Sequence, residues 1–341
     1  MLWLLACTGR PTVAIVGAGP AGLAAAIEAA TDADVVLYEG EDVVGGSARF
    51  AKAITTLDLP GERASPTRYR DRVEPMVIEW TTGLGVSWAP APGSTDEEPL
   101  LWPHGGGPAL VGALERQVRA LGVELRLGQR VTELPKADAV IVATGGIMGD
   151  VEAFRAWAGL PPGRLLRGAP KHADGQGWSL MPQAAFNEPR WLVYPHGTPG
   201  PEGVARMVLG ADGLPLNEGG ELQGPRGDQG NAWALTPSEH TLTVATPGKV
   251  ALLDWEMGRS EAFSTGTLEL YPTTAKTLSG VKTDVQGRVL NDAGRHIPGL
   301  YAAGEVNGFH DAYAEHVVDS TMVAGAILAG RVTAQAVLSD L

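Results

Sequence analysis

One stretch near the start of the chain restricts the fold more than any other feature. Val13-Ala14-Ile15-Val16-Gly17-Ala18-Gly19-Pro20-Ala21-Gly22 passes from an apolar strand through a Gly-x-Gly-x-x-Gly turn into an Ala-rich helix over 20–30. In such a turn the first glycine allows the tight reversal. The second lets backbone approach a pyrophosphate, and the third lets helix and strand pack closely. The helix start, from Pro20 and Ala21, adds unpaired N–H groups and a partial positive charge, so the motif cradles phosphate. A second strand, Val35-Val36-Leu37-Tyr38-Glu39, ends on an acid. Its offset from Gly17 matches the roughly 20 residues that separate this turn from a ribose-binding carboxylate. A right-handed parallel strand–helix–strand unit follows. The charge of Glu39 argues against a 2′-phosphorylated nicotinamide cofactor.

The far end of the chain carries a second glycine signature. Ile297-Pro298-Gly299-Leu300-Tyr301-Ala302-Ala303-Gly304-Glu305 ends another apolar strand on Gly-Glu, as suits a chain that returns to the same dinucleotide. Between the two signatures, Ala139–Ala143 reads as a fully apolar central strand of a parallel sheet. Leu110, Val111, Leu114, Val118 and Leu121 recur at helical spacing over Pro108–Leu121, with Gly122 as the stop and Val123–Leu127 as the next strand. Arg63–Thr82 reads as a helix interrupted by Pro75, and Ala89–Pro99, with its prolines and acids, as a loop. From Trp178 to about Gly280 helix signals weaken and short strand-like runs appear at Val204–Leu209, Leu242–Ala245 and Lys249–Leu253. This region reads as a second, substrate-covering domain inserted into the first. A helix from about Ser320 to Leu338 closes the chain.

Composition narrows the partners. With 26 basic against 39 acidic residues the net charge is −13, which disfavours nucleic acid and anionic membrane. An anion site on such a chain must be locally basic. Cys7 is the one cysteine, so no internal disulfide forms. No run reaches the ~18 apolar residues of a spanning helix. Leu4-Leu5-Ala6-Cys7 resembles a lipoprotein cleavage box, but its apolar core is shorter than a normal signal and no basic residue precedes it. A short apolar leader and a cytoplasmic location are the favoured reading, with a membrane anchor through lipidated Cys7 as the alternative.

Several ordered motifs resemble the flavoproteins related to fumarate reductase and succinate dehydrogenase, a family that includes ketosteroid dehydrogenases. Glu39 is followed by Gly45-Gly46-Ser47-Ala48. Pro103-His104-Gly105-Gly106-Gly107-Pro108 precedes a helix, and Ala143-Thr144-Gly145-Gly146 ends the central strand. Ala173-Asp174-Gly175-Gln176-Gly177 is similar to the family's Gly-Asp-Gly turn, and 280–290 with 297–305 is similar to its C-terminal return. The resemblance implies an α/β fold, with an FAD-binding Rossmann-like domain of the glutathione reductase type and an inserted smaller α+β capping domain. In residue numbers these are a leader at 1–11, FAD-binding segments at 12–177 and 281–341, and the cap at 178–280. It implies FAD as a non-covalent cofactor, because Ser47-Ala48-Arg49-Phe50 has no histidine where covalent members carry one. It further implies that Val131, Asp174 and Gly304 line the cofactor and that Glu305 meets its ribityl or pyrophosphate region. The helix starting at Ser320 and Thr321 would aim its N-terminus at the flavin N1–C2 edge, where a helix dipole favours negative charge.

The chain also departs from that family. The fumarate and succinate enzymes carry an Arg before the final helix that grips a substrate carboxylate. Here 308–320 reads GFHDAYAEHVVDS and holds none, and Ala275-Lys276-Thr277 stands where the family often has His-His-Thr. A C4 dicarboxylate substrate is therefore disfavoured. Hydride transfer between carbon and flavin N5 still needs a proton donor or acceptor, for which His310, Tyr313, His316 and Lys276 are the candidates. No metal site is expected. One dinucleotide cradle without a second implies a separate electron partner: a quinone, a redox protein or oxygen. The expected activity is FAD-dependent oxidoreduction at a C–C bond next to a carbonyl of a small molecule. The alternatives are an amine or amino-acid oxidase and a degenerate FAD binder without turnover.

Overall fold

The computed structural model describes residues 9–51, 54–55, 69–91, 94, 100–160, 163–200, 205–210, 240–244, 250–254, 260–263, 265–311 and 321–341. Cys7, Tyr313, His316 and Ser320 lie outside the described residues, as does much of the Ala89–Pro99 loop.

Strand β1 (Thr12–Val16), helix α1 (Pro20–Ala29) and strand β2 (Asp34–Tyr38) form the opening parallel unit, with β1 paired to β2 from Thr12–Asp34 to Val16–Tyr38. A small antiparallel sheet follows from β3 (Ile54–Thr55), β4 (Trp88–Pro90) and β5 (Leu100–Pro103). Between β3 and β4 the chain is helical from α2 (Tyr69–Val73) through a π turn (Glu74–Glu79) to α3 (Trp80–Gly83). The interruption expected at Pro75 is this π turn. A proline within a helix lacks an N–H and its ring presses on the preceding turn, and widening that turn relieves both problems.

Helix α4 (Gly106–Ala120) leads through β6 (Glu124–Arg126) to β7 (Ala139–Val142), every residue of which is buried. After α5 (Val151–Ala158) and α6 (Gln176–Ser179), the strands β8 (Trp191–Pro199), β9 (Ala205–Gly210), β10 (His240–Val244), β11 (Val250–Asp254), β12 (Ser260–Phe263) and β13 (Gly266–Thr277) make a second sheet. Its order is β10-β13-β8-β9-β11-β12 and its pairings are antiparallel. Then β14 (Arg288–Leu290), β15 (His296–Ala302), α7 (Gly308–Asp311) and α8 (Met322–Asp340) complete the described chain.

The main sheet has the order β14-β15-β7-β1-β2-β6, parallel except for β14. The chain winds outward from β1 through β2 to β6, then crosses to β7 on the other side of β1. That reversal makes the carboxyl ends of β1 and β7 the switch point at which sheets of this kind bind ligands. The sheet is buried on both faces. Val13, Ile15, Leu37 and Ile141 pack with α1 and α8; Ala14, Val16, Val140, Val142, Leu300 and Ala302 pack with Leu180, Met181, Val281 and Val306. Such two-sided burial is why these strands read as continuous apolar runs. Helix α8 is long and apolar enough to cross a membrane by composition, but 67% of its most apolar window is buried in the protein. Small residues let α8 and α1 approach closely: a Cβ on Gly330 would sit 2.9 Å from the Ala21 carbonyl carbon.

Candidate dinucleotide site

The three glycines of the first turn have different surroundings, and the differences define a cradle. A Cβ on Gly17, whose φ is +101°, would meet the Ala143 carbonyl oxygen at 2.5 Å, so this residue lets β1 turn beside β7. A Cβ on Gly22 would sit 3.0 Å from the Gly17 carbonyl carbon and well inside contact with its oxygen, so this residue lets α1 start against the turn. A Cβ on Gly19 would meet nothing within 4 Å. Only the middle glycine therefore faces open space, and it is the one assigned to ligand approach. Gly19 is also the N-cap of α1 with no side-chain cap, and Pro20 follows at the first turn. The helix start therefore presents its first N–H groups to whatever lies beyond Gly19.

A second loop closes over the first. Gly45 N donates to Ala18 O at 2.7 Å, and a Cβ on Gly46 would lie 3.6 Å from Gly19 Cα. The 3-10 turn Gly46–Phe50, which carries Ser47, is held by α4: a Cβ on Gly107 would lie 2.9 Å from Arg49 carbonyl carbon, so only glycine fits there. Arg49 Nε donates to Gly46 O at 3.2 Å, which keeps its guanidinium at the loop. At the end of β2, Glu39 Oε2 accepts from Ala18 N at 2.8 Å and Oε1 from Glu41 N at 3.0 Å. Its carboxylate thus stands beside the cradle, as a ribose-binding acid must.

A further wall of the crevice forms around Asp174. Its Oδ1 accepts from Gln176 N at 3.0 Å, its Oδ2 pairs with Arg130, and Gln176 Nε2 donates to Val131 O at 3.0 Å. Beyond Ala143, Gly145 has a φ of +80° and open space at its Cβ position, and Gly175 N donates to Gly146 O at 3.0 Å. Thr144 Oγ1 is buried without a hydrogen-bond partner among the described residues.

The C-terminal return reaches the same place. Ala303 N donates to Val142 O at 3.0 Å, and a Cβ on Gly304 would sit 3.0 Å from Ala21 Cβ. Thr321, buried, is the N-cap of α8. Glu305 was expected at the ribityl or pyrophosphate region. In the structure its Oε1 accepts from Thr277 N at 2.8 Å, and a Cβ on Gly146 would lie 2.8 Å from that oxygen. Burial raises the Glu305 pKa; hydrogen bonds from Thr277 and the nearby Lys276 charge act against it. Lys276 is half-buried near the end of β13. Threonines of β13 bind this strand to the dinucleotide side: Ile147 N donates to Thr277 Oγ1 at 3.1 Å, and Thr274 Oγ1 to Met148 O at 2.8 Å.

Of the catalytic candidates, Lys276 thus comes to the Glu305 side of the site. His310 belongs to α7, its side chain outside the described residues along with Tyr313 and His316. The residue before it, Phe309, is buried with a φ of +56°, an uncommon conformation for a bulky residue. Gly308 beside it has a φ of +63°, and a Cβ there would lie 2.6 Å from Leu278 O, so only glycine fits. The sequence reading passed over His172, whose Nε2 is buried without a hydrogen-bond partner among the described residues. A signal was available: a histidine two positions before Asp174, immediately preceding a turn already marked.

Comparisons with known proteins agree with this geometry. The model of a pyridine nucleotide-disulphide oxidoreductase matches residues 11–147, and that of an FAD binding domain matches 264–316. A KsdD-like steroid dehydrogenase of Mycobacterium tuberculosis is 37% identical over 76 residues, which are 22% of this chain and 13% of that relative. A flavocytochrome c3 fumarate reductase superposes with a TM-score of 0.65 at 15% identity, over 98% of this chain and 79% of that one. A 3-ketosteroid-delta4-(5alpha)-dehydrogenase from Rhodococcus jostii superposes with a TM-score of 0.62 at 18% identity, over 96% and 97%. In fold the chain is similar to the flavoproteins of the fumarate reductase and ketosteroid dehydrogenase kind. Its cofactor is FAD, and the open face at Gly19, the carboxylate of Glu39 and the unpartnered polar atoms of Thr144 and His172 fit such a group. At those identities the superpositions speak for the fold, and the sequence match to the steroid dehydrogenase covers only a short part of it.

Proposed function

We propose that this protein is an FAD-dependent oxidoreductase acting on a C–C bond next to a carbonyl, in a small substrate that carries no C4 dicarboxylate. The observation that carries this reading is the meeting of both chain ends at one crevice, where Gly19 leaves room for the cofactor and Gly304 packs on Ala21. Bound FAD supplies hydride chemistry at N5. The chain's own residues do the rest. Gly17–Gly22 and Gly45–Ser47 hold the phosphates, Glu39 the ribose, and Val131 with Asp174 the adenine side. Ala143–Gly145, Glu305 and the start of α8 at Thr321 border the reacting end. Lys276 is the proton-carrying candidate within the described residues; His310, Tyr313 and His316 are the candidates that follow β15. The segment 178–280 would cover the substrate and exclude water, and a quinone, redox protein or oxygen would exchange electrons with the site.

The absence of any Lys or Arg between Arg295 and Arg331 supports a neutral substrate, because no fork for a carboxylate precedes the last helix. A 3-keto steroid or a comparable enone fits that chemistry. The test is anaerobic titration of the yellow protein with such ketones, with succinate and with amines. Bleaching of the flavin band by ketones alone supports the proposal. Bleaching by succinate or amines, or by nothing offered, would replace it with a dicarboxylate enzyme, an amine oxidase or a flavin binder without turnover.

A further inference from the structure

His172 lies where the two glycine loops converge. Its Nε2 is 3.9 Å from the position of a Cβ on Gly46, and that same position is 3.6 Å from Gly19 Cα. Gly19 is the one glycine of the turn that faces open space, so the ring stands at the edge of the phosphate cradle. Its Nε2 is screened from solvent yet bonds to nothing among the described residues. An unpartnered buried polar nitrogen costs stability unless a ligand completes it.

The charges around the ring explain why such a residue is needed. Glu39 at the end of β2, Glu41 in the turn after it and Asp174 in the ring's own loop present negative charge, and Arg49 of the 3-10 turn presents positive charge. A pyrophosphate entering this acidic setting, on a chain of net charge −13, needs cations close to it. We propose that His172 grips the pyrophosphate of FAD, donating Nε2–H to a phosphate oxygen and taking up a solvent proton on its other ring nitrogen as the cofactor binds. The inference rests on the assignment of the crevice to FAD. Without cofactor, burial lowers the His172 pKa despite the neighbouring carboxylates, so the free ring is neutral at pH 7. A pyrophosphate next to the ring, with one negative charge on each phosphate, favours its charged form and reverses that shift. Binding therefore consumes a proton, and FAD is held more tightly at low pH.

The test is FAD binding to cofactor-stripped full-length protein, followed by quenching of flavin fluorescence from pH 6 to pH 8, and by calorimetry in two buffers of different ionisation enthalpy. Wild-type protein should weaken by about tenfold for each pKa unit gained on binding and should take up close to one proton. His172→Gln should bind about tenfold more weakly at pH 6, show a flat pH profile and take up no proton. Should that variant fail to fold, as read by its melting temperature, His172→Asn and the wild-type proton count keep the question open to decision. A wild-type slope and proton uptake retained in the variant, or no uptake by wild-type protein, would overturn the role of His172 while leaving FAD binding intact. Failure of every protein to bind FAD at any pH would instead overturn the assignment of the crevice, and this inference with it.

Discussion

Replacing Gly19 and Gly22 one at a time by alanine separates a residue kept for its ligand from one kept for packing. At Gly22 the added methyl would strike the backbone of Gly17. Backbone cannot rotate away, so the overpacking cost of about 1–3 kcal/mol is a fair minimum. With an unfolding entropy of roughly 2.1 cal/mol/K per residue, that lowers the melting temperature of a 341-residue chain by roughly 1.4–4 °C, with or without cofactor. At Gly19 the methyl meets nothing, and the φ of −69° suits any residue. Alanine is a poorer N-cap than glycine by up to about 1 kcal/mol. It also narrows the unfolded ensemble, which returns about 0.4–1 kcal/mol. The cofactor-free protein should therefore melt within about 1 °C of wild type. Bound FAD should not tolerate the methyl: loss of close backbone approach should raise its Kd by about 10–100-fold, or roughly 1.4–2.8 kcal/mol. Calorimetric melting of stripped protein and fluorescence titration with FAD read the two quantities separately. If Gly19→Ala bound FAD like wild type, or lost as much stability without cofactor as Gly22→Ala, the division of labour among these glycines would be wrong.

Arg331 of α8 pairs with Glu28 of α1, donates to Met76 O at 2.7 Å and lies over the Trp80 ring, with little of either charged side chain exposed. Arg331→Met should cost roughly 1–3 kcal/mol, because Glu28 is left buried without its partner, and denaturant unfolding should show it; an unchanged midpoint would mean the pair holds nothing together. Asp340 accepts from Arg288 and Tyr301, and those bonds depress its pKa. Stability from such a group is present above the unfolded carboxylate value and is lost as pH falls through the folded one. Asp340→Asn should therefore melt below wild type at pH 7, and the gap should close on acidification below about pH 4. A gap that stays constant with pH would assign the loss to packing instead.

The parts of the fold that were legible in the sequence are those written in local pattern. The glycine turn, the β1–α1–β2 unit, the apolar run of β7 and the periodic face of α4 each depend on neighbours a few residues away. The three glycine roles could be assigned in advance because each follows from backbone geometry at one position. The partners of Glu305 could not. Its carboxylate meets Thr277 N only because β13 is brought to the end of β7, and the sequence does not encode that pairing in any spacing. His172 escaped notice for a related reason. A lone histidine in a loop is unremarkable until the fold sets it beside Gly46 and buries its Nε2 without a hydrogen-bond partner among the described residues.

Ala21 shows how the two ends of the chain become one site. Its methyl group would meet a Cβ on Gly304, and its backbone carbon and Cα would meet a Cβ on Gly330 at 2.9 and 3.0 Å. The first turn of α1, the end of β15 and the middle of α8 therefore touch at a single residue, inside the glycine turn itself. Any larger side chain at 304 or 330 would push the C-terminal return away from the helix start that faces the phosphates. In the proposed reading the cofactor spans segments nearly 300 residues apart in sequence, and this contact fixes the distance between them. A ligand that bridges both segments must in turn stabilise their docking, because it binds the joined state and not the separated one. Cofactor affinity and the packing of α8 on α1 are thus two measures of the same closure.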